Sequence, residues 1–444
     1  MDLEVKTLTP LWTGGVETGR MNRIHETGII GGLRWWYEAI VRGLGGNPCD
    51  PTSEGPNANR CPREIDGRDE FCPVCQLFGA MRCLRKFRLR MGDGEALFNN
   101  NTRDILIPSG RIHTRPRLRA GGWYLMSNSV MGNEIPLHLI PLATADVVPH
   151  LSLVLSLIDR HAAIGAKVSN GYGVVHFYEN GRPIRAYMPE ILSSYSESLR
   201  QNSLPDIRDF FFTKLQFQVP ANNQKWWQYI KGIAEAWAGQ VADGRQTVNV
   251  YDQDPNRNQQ RRNQARSHLQ NIIKNDLLPL APAVRNWLRY QWASCMNDCQ
   301  KYYLFGEARP VCPYCCQTGY REDRNDSHRN WCPNCGHTFA KGAELPDAAS
   351  KVNVSHAYRL DNDNWEFRVW GWIPCQSPDG ISLDRAQFLA DLQATLIDAA
   401  TWQWVFGGRS PALCLVEWHA LDCSQQDGTI YLRELLGLNE RGDA

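Results

Sequence analysis

Hydrophobic and polar positions along the chain fall into alternating and helical stretches whose order occurs twice. The clearest alternation is in residues 84–91, where Phe87, Leu89 and Met91 face one way and Lys86, Arg88 and Arg90 the other. That pattern predicts a half-buried strand. An extended stretch over 3–12 comes earlier, followed by a helix over about 30–44. In that helix Leu33, Trp36, Ile40, Val41 and Leu44 share a face, while Arg34, Glu38 and Arg42 lie elsewhere. Strands at 123–128 and 135–141, a helix near 145–161 and a strand at 174–178 complete the unit.

The same order returns with a strand at 211–219, helices near 226–238 and 282–293, strands at 352–360 and 367–373, a helix near 383–400 and a strand at 413–418. Phe305-Gly306 stands in the second series as Phe78-Gly79 does in the first, with a cysteine-rich segment close to each. Such a parallel points to duplication. The division expected is 1–205 and 206–444, and the fold class α+β, most simply two ferredoxin-like halves. The insertion 252–275 carries the Gln/Asn/Arg-rich run Asp252–Gln270, and its composition predicts a flexible or late-ordering segment.

A chain of 444 residues exceeds one ordinary core, in keeping with two domains. Its 16 Trp suit either a large core or a base-stacking surface. The net charge of +1 conceals a strong asymmetry. Residues 82–119 hold ten Arg/Lys against three acids, residues 255–274 five basic residues and no acid, and residues 375–444 ten acids against four Arg. Phosphate binding needs a local basic surface, which the first two tracts supply. No targeting signal and no membrane-length apolar run is evident, so a cytoplasmic protein without membrane contact is expected. There its fifteen Cys would stay reduced, and metal binding becomes their leading role.

The strongest chemical motif is Cys312-Pro-Tyr-Cys315 followed, with sixteen residues between, by Cys332-Pro-Asn-Cys335. Two such knuckles suit a tetrathiolate zinc ribbon over 308–340. Four thiolates would close the coordination shell, so this zinc is structural. Cys316 and His337 are spare ligand candidates. Cys49, Cys61, Cys72 and Cys75, in the loop 46–80, form a looser set that a structural zinc could staple. No H-E-x-x-H or similar open metal site occurs.

Two glycine-bearing loops suit a phosphodiester backbone. Residues 164–173 combine three glycines with Lys167, Ser169, Asn170 and Tyr172, offering close backbone approach, a cation and a stacking ring. The loop from Thr13-Gly14-Gly15 through Arg20, Arg23 and His25 leads into the helix expected at Ile30, whose free N–H groups could hold a phosphate with Arg34 assisting.

Several segments resemble the RAMP superfamily of CRISPR proteins. Leu8-Thr9-Pro10-Leu11-Trp12-Thr13-Gly14-Gly15 is similar to its opening strand and turn, and residues 28–36 to the loop and helix start that follow. Cys72-Pro73-Val74-Cys75-Gln76-Leu77-Phe78-Gly79 resembles a type III segment, and Gly165–Gly173 the family's glycine-rich loop. The likeness covers the first half to about residue 180 and is nearest to the first-numbered subunits of the type III-B (Cmr) branch. It implies two packed ferredoxin-like (RRM-like) RAMP domains and a non-catalytic, RNA-binding role in an antiviral ribonucleoprotein. The partners implied are CRISPR guide RNA, target RNA and other RAMP subunits of the Cmr complex, with contact near the guide's 3′ region. The implied RNA contacts are Arg20, Arg23, His25, Arg34, Lys167, Ser169, Asn170 and Tyr172. Lys86, Arg88 and Arg90 are added from the strand pattern alone.

The competing reading is a metal-independent RAMP endoribonuclease that cuts CRISPR repeats, with His25 or His161 as general base. A third is a self-standing zinc-ribbon nucleic-acid binder, for which residues 308–340 hold few aromatics and mixed charge.

Overall fold

Strand β1 (Asp2–Thr7) buries Leu3 and Val5 while Asp2 and Glu4 face out, as alternation requires. In the computed structural model, residues 1–438 are described apart from 18, 54–58, 66–67, 99–103, 114–118, 143–146, 190–203, 220–224, 243–246, 253, 308, 325, 346–347, 362, 377–380 and 426. Parts of the basic tract 82–119 and the start of the helix expected at 145–161 lie outside the described residues.

The chain continues through α1 (Glu26–Gly43), the short α2 (Pro73–Phe78) and β2 (Phe87–Met91). A two-stranded hairpin, β3 (Ile105–His113) and β4 (Arg119–Leu125), precedes β5 (Ile135–Pro141), α3 (Val148–His161) and β6 (Val175–Glu179). In the first sheet β1 lies between β6 and β5, and β2 pairs beyond β5, every pairing antiparallel. Counted along the chain, these four strands stand in the order fourth, first, third, second, and the two-residue strand Arg182–Pro183 adds a fifth beyond β6. The helix α1 begins at Glu26, earlier than hydrophobicity alone suggested, so Gly28, Gly31 and Gly32 lie inside it. Gly32 sits against the glycine-rich loop, where a Cβ would come within 3.4 Å of the Ile164 side chain.

The second half runs through β7 (Phe210–Gln218), α4 (Ile233–Ala238), α5 (Pro255–Lys274), α6 (Ala281–Tyr290) and α7 (Asp298–Phe305). Next come β8 (Val352–Val354), β9 (Ala357–Arg359), β10 (Asn364–Trp372), α8 (Arg385–Ile397), α9 (Ala399–Val405), β11 (Leu413–Ala420) and α10 (Gly428–Leu436). Here β7 lies between β11 and β10, with β8 and β9 pairing beyond β10, again all antiparallel. Treating β8 and β9 as one interrupted strand gives the same order as in the first sheet. The two Phe-Gly pairs close α2 and α7 with matching backbone, φ 87° and ψ 156° at Gly79 and φ 70° and ψ 170° at Gly306. The architecture is a mixed α+β fold built on antiparallel sheets.

Three expectations need correction. The run 252–270 is not irregular: α5 spans twenty residues there. Asp254 caps it by accepting from the N–H groups of Asn256 and Arg257, and Pro255 occupies its first turn. Its sparse apolar residues, Ala265, Leu269, Ile272 and Ile273, form a buried stripe that average composition conceals. The helix expected at 226–238 is broken into a 3₁₀ turn, Trp226–Tyr229, and α4. Nor do all cysteines stay reduced, since Cys299–Cys316 and Cys375–Cys423 are disulfides. Tertiary packing brings these pairs together, which a cysteine count cannot reveal. Cys316 is thereby removed as a spare metal ligand.

One hydrophobic core runs through both halves. Trp36 of α1 meets Phe210 of β7 at 5.5 Å and Trp372 of β10 at 5.2 Å between ring centroids. Trp370 and Trp402 are also fully buried, so much of the tryptophan excess serves packing.

If α5 is held by its stripe, Leu269→Ala lowers stability by about 2–5 kcal/mol. The exposed neighbour change Gln270→Ala stays within about 0.5 kcal/mol. Chemical denaturation of both variants checks this; equal midpoints would return the segment to a loosely held insertion.

Candidate nucleic-acid interface and cysteine sites

The glycine-rich loop is fixed from both sides. On the first half, the Gly173 N–H donates to Pro10 O and the Ala166 N–H to Trp12 O. Lys167 takes a left-handed backbone (φ 59°), and its ammonium lies 5.3 Å from the centre of the Trp12 ring. From the second half, Arg285 of α6 donates to Ser169 O, and the His356 N–H donates to Gly171 O. Gly171 has φ 100°, and a Cβ there would sit 2.7 Å from the Ala281 methyl and 2.8 Å from His356 Nδ1. Only glycine fits. Lys167, Ser169 and Asn170 are partly exposed on a short 3₁₀ turn.

Tyr172 departs from expectation. Its ring is 1% exposed, and its hydroxyl accepts from the Met126 N–H and donates to Tyr124 O. Burial pushes its pKa well up. It is a core tyrosine that supports the loop and cannot stack on a base from this position.

The N-terminal loop is held mainly by local contacts. Arg20 pairs with Glu17 at 3.1 Å and Arg23 with Glu26 at 2.9 Å. Both arginines are exposed, and surface pairs of this kind are worth little, so either can exchange its partner for a phosphate. The His25 N–H donates to Thr13 Oγ1, and its Nε2 lies 2.9 Å from Asn22 Oδ1. Because α1 starts at Glu26, its first turn lies ahead of Ile30, and the Gly28 and Ile29 N–H groups already donate to His25 O, which leaves those of Glu26 and Thr27 at the helix start.

Arg34 also differs from the reading as an RNA contact. Its Nε donates to Glu38 Oε1, its Nη1 to Gly79 O and its Nη2 to Cys75 Sγ. It braces the first cysteine cluster. Lys86, Arg88 and Arg90 lie on the outward side of β2, with Arg88 and Arg90 exposed opposite Ile140 and His138. β1 and β5 separate them from β6, so they do not join the glycine-rich loop in one surface.

The structure adds a cavity of about 1040 Å³ between the two halves. The N-terminal loop supplies Arg20 and Asn22, the β3–β4 hairpin Tyr124, and α5 Arg261, Gln264 and His268. The α5 residues recur at helical spacing on the face beside its buried stripe. Tyr124 is 53% exposed and available for stacking. Arg261 is pinned to Tyr251 O at 2.7 Å and to Asp252 at 3.2 Å, which holds its charge at the wall. Sequence patterning had marked α5 as basic but gave no sign that it meets Arg20.

Both cysteine sets converge. In each, the four sulfurs lie within 4.8 Å of one another. Cys312 and Cys335 are 3.8 Å apart at sulfur, and Cys315 and Cys332 3.6 Å. Four thiolates at zinc-bond length around one ion would stand roughly 3.8 Å apart. The Cys316 and Gly336 N–H groups fold back to Cys312 O and Cys332 O, curling each knuckle. His337 stacks on Tyr314 at 4.6 Å and is not drawn into the set. In the first set, Cys49 and Cys75 are 3.4 Å apart at sulfur, and the Cys72 N–H donates to Cys61 Sγ. Hydrogen bonds from Cys49 and Cys75 push the Cys72 thiol far down, while the hydrogen bond with Cys72 raises Cys49 to about 11.

His161, the other nuclease candidate, is buried against Phe212 and bonded through Nε2 to Leu435 O. Burial lowers its pKa to about 3. A general base needs reach to substrate, which this position lacks. Among the described residues no helix is long and apolar enough to cross a membrane.

No curated protein sequence matches the chain. Among solved structures, Cmr1 from Pyrococcus furiosus in its apo form aligns at 10% identity, covering 86% of this chain and 90% of that one with a TM-score of 0.31. A chain of the Type III-B Cmr-beta complex bound to cognate target RNA aligns at 10% identity, covering 98% and 99%, with a TM-score of 0.34. Another Cmr-beta structure, with cognate target RNA and AMPPnP, aligns at 11% identity, covering 84% and 94%, with a TM-score of 0.31. Residues 4–176 match the family model of the RAMP superfamily. Those residues, which hold the first sheet and the glycine-rich loop, are where the chain is similar to the RAMP superfamily.

Proposed function

We propose that this chain is a non-catalytic RNA-binding subunit of a type III-B (Cmr) CRISPR effector complex, acting in cytoplasmic antiviral defence. The observation that carries the reading is the groove between the halves, where Arg20 of the family-matched segment faces the basic helix α5 across a cavity large enough for a nucleotide. Arginines on its walls and an exposed Tyr124 suit single-stranded RNA, held by phosphates and stacking rather than by base-edge recognition. Both candidate general bases are engaged, His25 with Asn22 and His161 with Leu435, which favours binding over cleavage. The strand order of each sheet supports two ferredoxin-like halves. Guide and target RNA and other subunits of the complex are the partners this role requires.

Each cysteine set is read as a structural zinc site, closed by four thiolates and lacking an open position for chemistry. The sets would pin the loop 46–80 to α1 through Arg34 and give the ribbon a core that its own few apolar residues do not supply.

For RNA, replacing Arg20 and Arg261 together with Ala weakens binding of a single-stranded RNA by about tenfold or more. It also reduces the dependence of log affinity on log salt by about 0.7 for every phosphate that is no longer neutralised. Fluorescence anisotropy across a salt series measures both. Unchanged affinity and slope would remove the groove from the interface, and cleavage of repeat RNA abolished by His25→Ala would favour the nuclease.

For zinc, elemental analysis of the purified chain gives about one ion fewer in Cys332→Ser and in Cys75→Ser than in the parent. Equal metal content in all three would mean that the thiols stand without an ion.

A further inference from the structure

A third convergence of ligand-type side chains joins the two halves and belongs neither to the groove nor to the cysteine sets. We propose that His161, Glu417 and His419 form a site for a divalent first-row metal ion, with zinc the best fit to two imidazoles and one carboxylate. His161 is the last residue of α3 in the first half, and Glu417 and His419 lie two apart on β11 in the second, on one side of the strand. One donor atom from each lies within 4.8 Å of the other two.

Three features distinguish this cluster from an ordinary ion-pair network. The first is the orientation of His161. Its Nε2 faces Leu435 O of α10 and must carry the proton, which leaves Nδ1 buried without a hydrogen-bond donor. That lone pair faces Glu417 Oε1 at 3.4 Å, so two acceptors confront each other. A cation between them resolves the confrontation.

The second is that both imidazoles have the outer partner typical of metal-bound histidine. His161 donates to a backbone carbonyl, and His419 Nδ1 lies 3.2 Å from the Glu434 carboxylate of α10. His419 Nε2 is then directed at Glu417 Oε1, 2.9 Å away. Metal entry would displace the proton shared there and release it to solvent.

The third is the carboxylate. Lys214 of β7, the register partner of Glu417, holds Oε2 at 2.8 Å and leaves Oε1 as the single ligand oxygen. The Glu417 and His419 side chains are 25% and 16% exposed, enough for the ion to enter and for water to complete the shell. The bound ion would clamp α3, β11 and α10 together across the junction of the halves.

The test uses the full chain and its His419→Gln and Glu417→Gln variants, each incubated with excess zinc sulfate, desalted and analysed for zinc. The parent is expected to retain about one ion more per chain than either variant. Both cysteine sets are common to all three proteins, so the difference does not depend on whether they load. Loading with cobalt instead should give a parent-minus-variant spectrum with d–d bands but no thiolate charge-transfer band. Equal zinc content in variants with native circular dichroism overturns the proposal and leaves the three side chains as a metal-free hydrogen-bonded cluster. Should the variants not fold, zinc-edge anomalous scattering from crystals of the zinc-soaked parent decides. A peak about 2.0–2.1 Å from His161 Nδ1 and His419 Nε2 is expected, and no peak there overturns the proposal.

Discussion

The guanidinium of Arg368 ties the two halves together. It projects from β10, is completely buried, and donates to the carbonyls of Asp159 and Ala162 at the end of α3 in the other half. Those carbonyls lack helical partners and carry the negative end of the helix dipole, so a fixed cation suits them. The Tyr358 hydroxyl accepts from the Arg368 Nε–H and donates to the Glu366 carboxylate, giving the charge a buried counterpart. Beside it, the T-shaped and tilted contacts of Trp36, Phe210 and Trp372 exclude water. A cation buried this deeply makes separation costly, since any opening leaves it and several carbonyls unpaired.

The proposed RNA surface depends on this docking. Neither half completes the glycine-rich loop alone, because Ser169 and Gly171 are held by Arg285 and His356 from across the junction. The groove likewise needs Arg20 from one half and Arg261 from the other. The basic tracts are distant in sequence, and within the near-neutral total the acidic C-terminal region offsets half of their excess charge.

Much of this was legible in the chain. The alternation of Phe87, Leu89 and Met91, the Leu33–Leu44 stripe and the repeated element order anticipated the main strands of both sheets and the helices α1, α3, α6 and α8. The CxxC spacings marked six of the eight cysteines that converge. What escaped was tertiary in origin. Tyr172 sits in a glycine-rich loop but turns inward, because Met126 N–H and Tyr124 O offer its hydroxyl partners there. Arg34 reads as a phosphate ligand until α2 folds back and places Cys75 and Gly79 within its reach. The twenty residues of α5 look disordered because three or four well-spaced apolar side chains anchor a helix that is otherwise polar. His161 had the right chemistry for a nuclease and the wrong surroundings.

The meeting of α3 and α10 brings two helix ends of the same polarity close together. The carbonyls of Leu435 and Leu436, at the end of α10, are satisfied by His161 and Arg160 from the last turn of α3. The carbonyls at the end of α3 are satisfied in turn by Arg368. Left to themselves these dipole ends would repel. Side chains borrowed in both directions turn the repulsion into a lock, in which each helix terminates properly only when the other half is present. The two halves are therefore not independent modules, for neither retains a complete set of helix ends of its own.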